Sequence, residues 1–194
     1  VRVLALGTGV GARGETGDAE LDAAIARSRE FVGACRILGA MPVGAGQPAP
    51  PDNAFDSEPL LNRVREVERF IEMFKPATVY THHAGDLNID HQLIARAVVT
   101  AARPYPGQVV KRIYGFEVPG STEWAVPGSV PFVPTRFVPL TDGQLSAKLK
   151  ALACYASESR DEPHPRSLPL VEALARVRGS QCGHFAAEAF TVVR

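Results

Sequence analysis

The sequence predicts an α/β fold, a Rossmann-like three-layer αβα arrangement with a mainly parallel sheet. Three observations carry this. Short apolar runs alternate along the chain with longer segments of helical period, the pattern of strands joined by crossover helices. The first run, Val1-Arg2-Val3-Leu4-Ala5-Leu6, is apolar at nearly every position, as a strand covered on both faces would be. A polar cluster, Tyr80 to His91, falls between a strand and a helix, and α/β proteins bind ligands at the carboxyl ends of their strands.

Taken in order, Val1–Leu6 is a strand and Gly7–Gly14 a glycine-rich turn. Asp18–Leu38 has the spacing of an amphipathic helix, with Leu21, Ala24, Ile25, Phe31 and Cys35 inward, Arg27, Arg29 and Glu30 solvated, and Gly39 ending it. Residues 39–53, rich in Gly and Pro, read as a short strand around Met41–Val43 and a loop. A helix follows from Ser57, its N-cap, through Pro59 in the first turn to Phe74. Its core stripe is Leu60, Val64, Val67, Phe70 and Ile71, and Pro76 stops it. Ala77–Tyr80 is a short buried strand and Gln92–Ala102 a helix. Beyond a turn at Pro104–Gly107 come a strand over Val109–Val118 and a long loop over Pro119–Pro134. Thr135–Leu140 is a strand, and Thr141 caps a helix to Ser157. The Asp161–Pro169 loop, a helix over Leu170–Arg178 and a strand over Glu188–Val193 complete the series.

The chain has 194 residues, enough for one sizeable core, and shows neither a repeat nor a second-domain boundary. Its formal net charge of zero and pI of 7.1 give no basic surface for nucleic acid. No apolar run is long enough for a membrane span. Cys35, Cys154 and Cys182 are sparse, odd in number and without a CxxC pair, which fits a reducing compartment; a cytoplasmic location is expected. The sequence leaves the oligomeric state open, a homo-oligomer included.

The chemistry concentrates in Tyr80-Thr81-His82-His83-Ala84-Gly85-Asp86-Leu87-Asn88-Ile89-Asp90-His91, which holds three of the five histidines. Neutral imidazole is a common zinc ligand, and its other ring nitrogen usually donates to a carboxylate or carbonyl. Asp90-His91 puts a carboxylate beside an imidazole at a helix start. The same residues also suit a plain helix start, with Asp90 as an N-cap and the histidines as ordinary strand-end residues. A catalytic zinc needs three protein ligands, and one loop rarely supplies all three.

THHAGDLNIDH closely resembles the second motif of the PIG-L/LmbE-like zinc-dependent de-N-acetylases, the GlcNAc-PI de-N-acetylase-like family. The resemblance continues in Tyr114-Gly115-Phe116-Glu117-Val118 with Ser121-Thr122-Glu123-Trp124, and in His164-Pro165-Arg166-Ser167. It ends in Arg178-Gly179, Gly183 and Ala187-Glu188-Ala189-Phe190. Four matches in order over most of the chain are specific where a lone H-x-D-H would not be. The family's first motif, Ala-His-Pro-Asp-Asp, does not occur here; in the family it supplies two zinc ligands and the general base. The resemblance therefore implies a single deacetylase domain over residues 1–194 that lacks its first strand, motif and helix, roughly 30–40 residues. It also implies a chain that by itself is inactive.

What the resemblance implies for the site is as follows. His91 is the zinc ligand, with Zn2+ as the cofactor. Asp90 orients it, and Asn88 stands where many members carry a histidine that stabilises the oxyanion; its amide can still donate. Asp86 organises the loop by accepting backbone amides. His82, His83, Asp86, Glu123 and Arg166 are the candidate contacts of substrate, with Arg166 and Glu188 equally suited to structural ion pairs. The substrate class is a small N-acyl amino sugar or glycoconjugate and the reaction is amide hydrolysis. Two rival readings are a non-catalytic α/β binding module or remnant and a SAM-dependent methyltransferase. The latter rests on the glycine-rich turn, but Ala5 stands where its loop carries an acid, and no strand ends in Asp or Glu about 20 residues on.

Overall fold

The computed structural model describes residues 1–7, 9–10, 17–44 and 53–194. Most of the glycine-rich turn lies outside the described residues, as does much of the 39–53 loop. The chain falls into two compact units, residues 1–54 with 139–187, and residues 55–138 with 188–194.

The first unit contains β1 (Arg2–Leu4), α1 (Asp18–Ile37) and β2 (Met41–Val43), then α4 (Asp142–Ala153) and α5 (Leu168–Ser180). β1 and β2 form a parallel pair, Arg2 opposite Met41 and Leu4 opposite Val43. Leu38 closes α1, and Gly39 follows with φ +63°, a left-handed conformation that a side chain would resist. Phe31, Ala34 and Cys35 bury the second half of α1, whereas Leu21 and Ile25, expected inward, are exposed. Thr141 caps α4 as expected and goes further: its hydroxyl accepts from the Gln144 amide while Gln144 accepts from the Thr141 amide, a reciprocal capping box. The helix ends at Ala153, and Ala156–Glu158 is a separate 3-10 turn. Leu145, Ala175 and Ala186 form a small core with Leu140 and Leu149. Gly179 belongs to that packing because a Cβ there would sit 2.6 Å from the Cα and N of Ala186.

The second unit holds a 3-10 turn (Phe55–Ser57), α2 (Leu60–Phe74), β3 (Thr78–His82), α3 (Ile89–Ala101) and β4 (Arg112–Phe116). Ser57 ends the 3-10 turn and does not cap α2; Pro59 takes the N-cap position, in extended conformation. α2 buries Val64, Val67 and Ile71, and α3 buries Ile94, Ala97, Val98 and Ala101. The two helices pack on one another. Lys75 takes a left-handed conformation at the end of α2, since the proline that follows disfavours a further helical residue.

β5 (Arg136–Pro139) and β6 (Ala187–Val192) complete a four-stranded sheet in the order β3-β4-β6-β5. β3 and β4 are parallel, from Thr78 opposite Arg112 to His82 opposite Phe116. β6 runs antiparallel to β4. The fold class is α/β as predicted, and the sheet is mixed at β6. β3 is less buried than its apolar run suggests: Tyr80 lies half exposed, its ring against Tyr114 and Phe190.

Candidate active site

β3 and β4 end together, so the chain leaves β3 at His82 beside Phe116. The turn that follows is pinned at once: His83 donates its amide to the Phe116 carbonyl at 3.0 Å, and the Asp86 amide returns to the His83 carbonyl at 3.2 Å. Gly85 lies so close to the long loop that a Cβ would run into the Val130 carbonyl. α3 then begins at Ile89, three residues earlier than its apolar spacing suggests. Asn88 is the N-cap, its side-chain oxygen accepting from the Asp90 amide at 2.8 Å. Asp90 and His91 therefore both lie in the first helical turn, where consecutive side chains point about 100° apart.

That angle overturns one expectation. Asp90 does not orient His91. It is buried, and its carboxylate accepts from the Phe55 amide at 3.1 Å, which ties the 3-10 turn to α3. The carboxylate on His91 is Asp86, whose Oδ1 lies 2.9 Å from His91 Nδ1. The same oxygen accepts from the Asn88 amide at 2.9 Å and from the Ser121 hydroxyl. Its Oδ2 accepts from the Thr122 hydroxyl at 2.6 Å. Asp86 is 1% exposed. Burial alone would raise its carboxyl, but the donors from His91, Ser121, Thr122 and the Asn88 amide outweigh that and hold it well below the usual carboxylate range. An ionised carboxylate only accepts, so His91 carries its proton on Nδ1 and turns Nε2 away.

His82 stacks on the other side of this arrangement. Its ring lies 4.1 Å from that of His91, tilted by 12°. Burial pushes the His82 imidazole down to about 3; His91 adds to the shift and Asp86 opposes it. His82 is thus a neutral plate against His91, with its Nδ1 buried and without a hydrogen-bond partner among the described residues.

The other candidate substrate contacts are engaged in holding the structure. Asp86 is saturated and enclosed. His83 is buried, with Nε2 2.8 Å from the Val130 carbonyl and its ring edge-on to Phe132. Glu123 accepts from the amides of Gly120 at 2.7 Å and Ser121 at 3.3 Å, bracing its own turn. Arg166 belongs to the first unit, where it meets Glu158 at 3.1 Å. Glu158 also binds Arg27 at 2.6 Å, and Arg27 binds Glu30 at 3.0 Å, so Arg27 and Glu30 are part of an ion-pair chain and not simply solvated. His82, Asp86, Asn88 and His91 are the expected residues that the fold brings together. Ser121 and Thr122 join them without having been assigned a role; a serine-threonine pair following the next parallel strand is the signal that pointed there.

The donor set can be tested against zinc. His91 fits: an imidazole fixed by a carboxylate on one nitrogen, with the other available, is the usual ligand arrangement. Among the described residues, however, no three His, Cys, Asp or Glu side chains converge to hold a metal ion. One ligand of the three that a catalytic zinc takes is in place.

A family model described as PIG-L: GlcNAc-PI de-N-acetylase matches residues 1–102, which include the glycine-rich turn and the whole Tyr80–His91 stretch. No curated protein matches the chain significantly. Several solved structures share its fold. The N,N'-diacetylchitobiose deacetylase of Pyrococcus horikoshii superposes with a TM-score of 0.72 at 14% identity, over 99% of this chain and 72% of that one. The 4-carboxy-2-hydroxymuconate hydratase of Pseudomonas putida gives 0.70 at 21%, over 100% and 83%. A zinc-inhibited form of teicoplanin deacetylase gives 0.60 at 17%, over 88% and 74%. At these identities the likeness shows the three-layer α/β fold. One of these proteins is a hydratase, so the fold alone does not choose the reaction.

Proposed function

The chain belongs to the PIG-L family of GlcNAc-PI de-N-acetylases, and from that membership we propose that it serves the hydrolysis of an N-acyl group from an amino-sugar-containing small molecule or glycoconjugate. The products are the carboxylic acid, acetate in the simplest case, and the free amine. The observation that carries this reading is the Asp86–His91 pair at the carboxyl end of β3: a buried carboxylate that fixes one imidazole with a nitrogen to spare. Zinc is the metal this imidazole suits, and a metal of that kind polarises an acyl carbonyl and activates water. The described residues supply one ligand, so the 194-residue chain is expected to hold zinc weakly and to turn over little without further ligands.

The chain's own residues have distinct tasks. Asp86 and His82 hold His91, one by its edge and one by its face. Asn88 spends its side-chain oxygen on the helix cap, which directs its NH2 group as the end able to meet a developing oxyanion. Asp90 keeps the start of α3 in place through Phe55. Solvent-borne acyl amino sugars are the substrates this reading calls for; it places no nucleic acid at the site, and no helix among the described residues is long and apolar enough to cross a membrane.

A second reading, a non-catalytic binding module, is favoured by one observation, the single ligand in place of three among the described residues. The experiment that separates them is acetate release from N-acetylglucosamine conjugates, with added zinc and with a chelator. It is run on the chain and on a version carrying an upstream Ala-His-Pro-Asp-Asp segment. The hydrolase reading expects zinc-dependent turnover in the extended protein and little in the shorter chain. No turnover by either, at full zinc occupancy of the extended protein, would establish the binding module.

A further inference from the structure

We propose that Thr122 is a positioning residue for His91, acting through Asp86; its consequence for catalysis rests on the reading of His91 as the metal ligand, while its geometry does not. Thr122 has a fixed place. Its amide donates to the Val118 carbonyl at 3.0 Å, and the Val118 amide donates to the Thr122 hydroxyl at 2.7 Å, a reciprocal pair rooted two residues beyond β4. A threonine hydroxyl has one proton to give. With Val118 donating to its oxygen, that proton is directed to Asp86 Oδ2 at 2.6 Å. Among the described residues Oδ2 has no other donor, whereas Oδ1 gathers His91, the Asn88 amide and Ser121.

The two oxygens of Asp86 are therefore unequal. Three donors converge on one, and Thr122 alone holds the other. Rotation of the carboxylate about its bond to Cβ would exchange them, and Thr122 is the anchor against that rotation. A carboxylate held in one orientation presents Oδ1 to His91 Nδ1 continuously and keeps the ring proton there, so that Nε2 is the nitrogen that faces outward. The series Val118 amide, Thr122 hydroxyl, Asp86, His91 is a single hydrogen-bonded chain, in which each bond polarises the next. It links the end of one parallel strand to the imidazole delivered by its neighbour. Thr122 and Asp86 are both buried, so water does not substitute for a missing member at no cost.

The test is nitrogen-15 spectroscopy of the histidine rings in the metal-free protein at neutral pH, for wild type, Thr122→Val and Thr122→Ser. Wild type and Thr122→Ser are expected to show His91 as the Nδ1–H form. Thr122→Val, the same shape without the hydroxyl, is expected to lose that single form to a mixture with Nε2–H. Unchanged signals from His164 and His184, in the other unit, report an intact fold. If Thr122→Val does not fold, Thr122→Ala removes the same hydroxyl with less bulk and the same loss is expected, whereas Ser121→Ala, which leaves Thr122 on Oδ2, is expected to keep the Nδ1–H form. A pure Nδ1–H form in folded Thr122→Val or Thr122→Ala overturns the proposal. A tautomer change in Thr122→Val, together with no N-acyl hydrolysis by the zinc-loaded protein extended with the Ala-His-Pro-Asp-Asp segment, overturns the functional reading and leaves the positioning role standing.

Discussion

Each unit of the chain takes charge out of water, and the two do so differently. In the second unit one carboxylate, Asp86, is enclosed completely and receives four donors, none of them a lysine or arginine. In the first unit Glu30, Arg27, Glu158 and Arg166 alternate in sign along a chain of ion pairs, partly open to solvent. Ser157 joins that chain by bonding both Arg27 and Glu30. The first arrangement relies on short side chains and backbone amides whose positions the turn and helix start already fix. The second relies on long flexible side chains, of which Arg27, Glu30 and Glu158 each have more than one partner. Removing a member of the first leaves buried donors with nothing to bind, whereas the second can rearrange and admit water. Position is the product of one cluster and modest stability the product of the other.

The sharpest way to break this comparison is Asp86→Ala. It leaves His91, the Asn88 amide, Ser121 and Thr122 without their acceptor, and an orphaned buried donor costs about 1–3 kcal/mol. A loss of at least about 3 kcal/mol is expected in urea unfolding, together with loss of site function. A loss below about 1 kcal/mol would mean that the cluster is not closed to water. Next comes Asn88, which tests whether one residue is both cap and donor. Asn88→Asp keeps the capping oxygen and lacks the NH2 group; it is expected to fold normally and, in the active protein, to turn over about a hundred- to a thousand-fold more slowly. Asn88→Ala should lose about 1 kcal/mol of stability as well. Equal turnover by wild type and Asn88→Asp would remove Asn88 from the chemistry. The smallest effect is expected from Arg27→Ala, about 1 kcal/mol or less, reduced further by salt, because partly exposed ion pairs are screened and replaceable. A loss as large as that of Asp86→Ala would erase the distinction between the clusters.

Much of this was legible in the sequence because it is local. The strand before His82, the helix after it and the cap at Thr141 depend on residues within a few positions of one another. The C-terminal Arg178-Gly179 and Gly183 signature gains a physical reason: Gly179 must lie against Ala186, and Gly183 has φ +77°. What was not legible is what spans the chain. Asp86 meets Ser121 and Thr122 across 35 and 36 positions, and Arg27 meets Glu158 across 131. Nothing in a local pattern distinguishes a solvated Arg27 from a paired one. The exchange of roles between Asp86 and Asp90 has a different cause. It turns on whether α3 starts at Ile89 or at Gln92, and Asn88, a good N-cap, decides it in favour of the earlier start.

The central claim is that Asp86 presents His91 to a metal. Zinc binding at neutral pH tests it most directly, read by competition with a coloured chelator on the wild-type protein, His91→Ala and Asp86→Asn, each confirmed to be folded. The account predicts that His91→Ala abolishes the binding and that Asp86→Asn weakens it by about 10- to 100-fold, the usual penalty for losing the partner of a ligating imidazole. Zinc bound by His91→Ala with the affinity and stoichiometry of wild type would contradict it.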